Sequence, residues 1–199
     1  MNLSLITLFP LMHNKGRLPQ EALFAQIKQA GFQAVDLCGY DFASLTEAEV
    51  RSALQRLGLK AACYIDFVPS PAMGDAEAGA RVKSHIRKGL ERTEALGAAV
   101  YMFAPSGYAD AIRGVPRRDV ADALAEDLAY TVQLAAPKGI SVVIEDAPDI
   151  TFPMCSAEEV LYLLRKVPGL RHVFDTGNML AAGIDQISIP LPSSPTSAL

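Results

Sequence analysis

Six short, continuous apolar runs alternate with longer amphipathic segments, and this alternation restricts the fold more than any single motif. The runs cover residues 3–9, 34–38, 59–65, 98–103, 140–144 and 171–174. Continuous apolar character, rather than an in–out pattern, is what a strand buried on both faces requires. The intervening segments carry helix signals. Pro19 suits a first helical turn and Gly31 a stop, with Ala22, Leu23, Ile27 and Ala30 on one face between them. Thr46 with Glu49, and Ser156 with Glu159, have the spacing of capping boxes at the start of helices running to Leu57 and Val167. A long helix is expected from Asp75 to Leu96, stopped by Gly97, and another from Pro116 to Ala136, ended by Pro137-Lys138-Gly139.

Strict strand–helix alternation implies parallel strands joined by right-handed crossovers. The expected class is therefore α/β, and the unit length of roughly thirty-odd residues suits a TIM-barrel type (β/α) repeat. A doubly wound sheet is the structural rival. Its nucleotide-binding versions lose support because no GxGxxG follows the first run and no GxxxxGK occurs anywhere. Such barrels need ~250 residues to close, and this chain has 199. The expectation is an incomplete barrel of six strands over residues 1–185, followed by an irregular tail over 186–199. Three prolines and four serines among the last twelve residues cannot propagate a helix.

Bulk properties narrow the partners. A net charge of −4 and a pI near 5.4 argue against a nucleic-acid partner, since phosphate binding leaves a basic footprint. Arg113, Arg117 and Arg118 form the one candidate basic cluster, read as a solvated loop. The three cysteines, Cys38, Cys63 and Cys155, have no CxxC spacing and imply neither a zinc knuckle nor a disulfide framework. The first residues lack a basic segment and a cleavage site, and Pro10 interrupts their apolar run, so no signal peptide is expected. No apolar stretch approaches the ~20 residues of a membrane span. No membrane partner and a cytoplasmic location are expected.

Two acids stand at equivalent places in successive runs. Glu145 closes Ile140-Ser141-Val142-Val143-Ile144, and Asp175 closes His172-Val173-Phe174. A carboxylate at the end of a buried strand is costly to desolvate unless something pairs with it. At the carboxyl ends of parallel strands that partner is often a metal or a substrate. Asp36 and Asp66 end the second and third runs and are expected at the barrel mouth as substrate-binding groups, with loop capping as the plainer reading. His13, in the loop expected after the first strand, is a further substrate-binding candidate. Asp146, adjacent to Glu145, should point the other way. His85 is read as a solvated mid-helix residue, His172 as structural, and Tyr64 and Tyr101 as core or wall.

These residues carry a resemblance. Val143-Ile144-Glu145, the segment Val173-Phe174-Asp175-Thr176-Gly177-Asn178-Met179, and the entry Gly31-Phe32-Gln33-Ala34-Val35-Asp36-Leu37 resemble the xylose isomerase-like superfamily of TIM barrels, over roughly residues 1–185. That superfamily includes sugar phosphate isomerases and epimerases. The resemblance implies an isomerase or epimerase acting on a sugar or sugar phosphate, with Glu145 and Asp175 as ligands of a divalent metal and Glu145 also catalytic. Oxygen ligands suit Mn²⁺ or Mg²⁺. The family's remaining ligands, a His and a Glu from strands seven and eight, have no counterpart here, so weak metal binding is expected. Asn178 stands where many members carry His and is assigned to substrate binding. Two alternatives are a catalytically incompetent remnant serving only as a binding or oligomeric protein, and an apurinic endonuclease-like protein. An open barrel would leave apolar edge strands that a homo-oligomer could cover.

Overall fold

In a computed structural model of the chain, residues 3–15, 17–42, 45–106, 112, 114–148 and 152–183 are described. Arg113 of the candidate basic cluster and the tail 186–199 lie outside them. Six strands form one parallel sheet whose spatial order equals the chain order: β1 (Ser4–Ile6), β2 (Ala34–Cys38), β3 (Lys60–Val68), β4 (Val100–Pro105), β5 (Ser141–Glu145) and β6 (Arg171–Val173). The sheet curls into a half-barrel of the TIM type. Five helices lie along the connections: α2 (Gln20–Gln29), α3 (Glu47–Leu57), α4 (Ala76–Leu96), α5 (Arg117–Ala135) and α6 (Ala157–Lys166). Short helices α1 (Leu8–Asn14) and α7 (Thr176–Ala181) follow β1 and β6.

The helix boundaries have local causes. Both expected capping boxes form, with the side chains of Thr46 and Ser156 accepting from the Glu49 and Glu159 amides while those glutamates reach back. A cap of this kind stabilises a helix by about 1 kcal/mol. Asp75 caps α4 by accepting from the Glu77 and Ala78 amides, and Gly97 ends it at φ 71°. That left-handed conformation costs a glycine nothing.

Side-chain parity divides the sheet into two faces. Val35, Leu37, Tyr64, Val68, Tyr101, Phe103, Val142 and Ile144 face outward and join the main core with the helices. A smaller apolar cluster lines the inner face: Cys38, Cys63 and Ile65, flanked by Ile6, Val100, Met102 and Ala104. All three cysteines are buried free thiols. No helix among the described residues is long and apolar enough to cross a membrane.

The first run departs from expectation. Only residues 4–6 are strand; residues 8–14 turn into helix α1. Pro10 sits in the first turn of α1, where its missing N–H costs nothing. His13 therefore stands exposed in the last turn of a helix, not in a loop.

Candidate active site on the inner face

Glu145 is the last residue of β5, and its register partner across the ladder is Val173 of β6. In a parallel pair, partnered residues share a face, so Glu145, Val173 and Asp175 lie on one side by strand periodicity. That side is the inner face at the carboxyl end of the sheet. Burial pushes the Glu145 carboxyl from 4.5 up to about 7, aided by the negative charges of Asp175 and Asp146 and by contact with the Asp175 side chain. The Asn178 amide acts in the opposite direction. Two carboxyls pressed together in a half-dry site favour holding a proton between them.

Asp175 caps the short helix α7. Its Oδ1 accepts from the Gly177 and Asn178 amides at 2.7 and 2.9 Å. This fixes the side chain and brings Asn178 over the end of β5, where Asn178 Nδ2 donates to the Asp146 carbonyl at 2.8 Å. Asp146 points away from Glu145, as strand alternation requires, and is 1% exposed. Its Oδ1 accepts from the Asp175 backbone amide at 2.9 Å and meets His172 Nε2 at 3.1 Å. Its Oδ2 has no partner among the described residues. His172 is thus a structural support of Asp146. Asp146 is the residue that the pairwise reading of Glu145 and Asp175 undervalues. Its signal in the sequence is a second acid directly after the strand-end Glu.

Asp36 joins the same face from mid-strand rather than from the strand end. Burial raises its carboxyl above the ordinary range, while the Ser4 hydroxyl, donating at 2.9 Å, opposes the shift. Its ladder partner is Cys63, whose thiol is pushed up to about 12, first by burial and then by the charges of Asp36 and, more weakly, Glu145. Cys63 therefore marks the inner-face floor between the two acids and is inert as a nucleophile. His13 belongs to the β1 end of the sheet and Glu145 to the β5 end.

Asp66 is a correction. It pairs with Phe103 in the ladder and shares that residue's outward face, so it turns toward α4 and away from the inner carboxylates. It is 5% exposed; its Oδ2 accepts from the Tyr101 hydroxyl at 2.6 Å, and its Oδ1 meets His85 Nε2 at 2.7 Å. His85 is accordingly not a solvated helix residue but the partner of a buried acid. The mid-helix Gly89 is the sequence signal of this close approach, since a Cβ there would stand 2.0 Å from Asp66 Oδ2.

The donor set at the inner face fits a hard divalent cation in part. It offers two adjacent carboxylates, while Asn178 donates through Nδ2 to the Asp146 carbonyl. Among the described residues, no group of three or more His, Cys, Asp or Glu side chains converges as a metal cage.

Residues 24–194 match the family model of the xylose isomerase-like TIM barrels, and the chain belongs to that family. None of the curated proteins matches the sequence. Solved structures share the fold at low identity. An AP endonuclease, family 2, from Brucella melitensis is 21% identical with a TM-score of 0.66, over 85% of this chain and 67% of that one. The IolI protein with a bound zinc atom is 12% identical with a TM-score of 0.72, over 93% and 66%. An L-ribulose 3-epimerase is 19% identical with a TM-score of 0.68, over 80% and 56%. The chain thus spans between 56% and 67% of these proteins' lengths.

Proposed function

We propose that the chain is a sugar or sugar-phosphate isomerase or epimerase, with Glu145 and Asp175 as its chemical centre. The observation that carries the reading is the placement of these carboxylates side by side on the inner face, with Glu145 brought to about 7. A base whose pKa lies near the working pH exchanges protons most effectively. Glu145 takes or returns a proton at the carbon next to a sugar carbonyl. Asp175, anchored by the amides of α7, keeps its carboxyl group in a fixed place beside Glu145. The Asn178 amide orients a hydroxyl, and Asp36 offers a second acceptor on the same face. Glu145 and Asp175 would hold Mn²⁺ or Mg²⁺, which when bound polarises a carbonyl and its neighbouring hydroxyl. An epimerase among the structural neighbours, and the zinc atom in the IolI structure, support this choice of chemistry.

The test is deuterium exchange into ketoses, followed by NMR in heavy water with added Mn²⁺. Incorporation at the carbon beside the carbonyl, abolished in Glu145→Gln, is expected. Exchange no faster than with Mn²⁺ alone, across free and phosphorylated ketoses, would overturn the reading.

A further inference from the structure

A cavity of about 280 Å³ opens on the opposite side of β3 from the inner carboxylates, between β3, the end of β2 and α4. Its walls include Asp66, Tyr64 and Gly39, and three cationic side chains of α4: His85, Lys88 and Arg92. Their spacing of three and four residues places them on one helix face. Gly89, on the same face, lets Asp66 pack against the helix backbone between them, where a Cβ would stand 2.0 Å from Asp66 Oδ2.

The three cations differ in how they are held. Arg92 is fixed in position: its Nε donates to Glu47 at 2.6 Å, its Nη1 donates to the Tyr64 hydroxyl at 3.1 Å, and its guanidinium stacks 4.5 Å from the Phe42 ring centre. His85 is fixed through Nε2 by Asp66, which leaves its Nδ1 for another partner. Lys88 is exposed and makes no ion pair with a described residue. Each Asp66 oxygen has a hydrogen-bond partner, Tyr101 or His85, so the acid does not compete for the cavity's remaining donors. The hydrogen bond to Asp66 also raises the His85 pKa, against the opposing effects of burial, Lys88 and Arg92, so the ring gains charge. The acids that face these cations are Asp66 from β3 and Glu47 from α3, against His85, Lys88 and Arg92; Tyr64 and Tyr101 are neutral. With the His85 ring charged, three cations face two acids, on a chain whose net charge is −4.

We infer that this cavity is a binding site for a phosphate group, recognised by His85, Lys88 and Arg92 and separate from the inner-face carboxylates. A phosphate dianion offers several acceptors to three convergent donors, and a cavity of this size holds a phosphate with part of a sugar. Because β3 stands between them, a small molecule seated against these three cations leaves Glu145 and Asp175 open. The site is independent of the reading of the inner face.

Calorimetric titration of the full chain with inorganic phosphate, with a hexose 6-phosphate and with the unphosphorylated hexose tests this. Saturable binding of the phosphate-bearing probes and none of the bare hexose is expected. Equal affinity for inorganic phosphate and the sugar phosphate identifies free phosphate as the source; tighter sugar phosphate identifies the ester. Lys88→Gln, an exposed change that leaves the fold intact, should weaken binding about tenfold. His85→Gln should weaken it near pH 6 and have less effect near pH 9, where the parent ring is neutral too. No saturable binding, or binding unaltered by Lys88→Gln, would overturn the proposal.

Discussion

Asp146 sits wholly buried behind Glu145, with one oxygen between the His172 ring and the Asp175 amide and the other without a partner among the described residues. Truncating it has two opposed effects. An orphaned buried oxygen disappears, which is favourable, but the Asp175 amide and His172 lose their acceptor. The second effect wins because it strands two donors. Asp146→Ala should therefore destabilise the chain by about 1–3 kcal/mol in urea unfolding and weaken Mn²⁺ binding by about 10–100-fold. Asp146→Asn, which keeps an acceptor oxygen, should restore most of both. Glu145 gives a pH signature. Its carboxyl is raised from 4.5 to about 7 in the folded chain, so the folded state favours the protonated form. Its contribution to stability is fully present below its ordinary value and lost as pH rises through about 7. In the metal-free chain, urea midpoints should fall across that window, and the fall should be shallower in Glu145→Gln. A parallel pH dependence in parent and variant would show that another group is responsible.

Among the elements, α4 and β3 are the most informative pair. A glycine in the middle of a helix normally costs about 1 kcal/mol relative to alanine. At Gly89 the sign reverses, because an alanine Cβ would meet Asp66 Oδ2 at 2.0 Å and the Tyr101 ring at 2.9 Å. Gly89→Ala should destabilise by about 1–3 kcal/mol in spite of its better helix propensity, as read by chemical unfolding. A gain in stability would mean that α4 does not lie this close to β3. The legibility of each element follows from its local chemistry. Helices α3, α4 and α6 are readable because Thr46, Asp75 and Ser156 cap them, and Gly58 and Gly97 close the first two. Helix α1 is hidden because Thr7 alone separates its apolar residues from those of β1, so the two read as one run. Helix α7 is hidden because Asp175 serves both as the end of a strand segment and as a helix cap. Glu145 and Asp175 are legible because each follows a short apolar run. The side on which Asp66 falls is not, since a continuous apolar run such as 59–65 carries no alternation from which parity can be read.

For the molecule as a whole, six parallel strands in chain order place the carboxyl end of every strand on one rim, which is why acids from β5 and the residues after β6 meet. The sheet edges are β1 and β6 among the described strands. The exposed Phe174, 52% accessible, follows the second of these. The family assignment rests on the match over residues 24–194, and the proposed chemistry rests on two residues within it. Calorimetric titration with Mn²⁺ therefore bears most directly on the account. The parent chain should bind the ion, and Glu145→Gln and Asp175→Asn should each weaken binding by at least about tenfold. Equal Mn²⁺ affinity in the parent and both variants would contradict the assignment of these two carboxylates as the centre of the site.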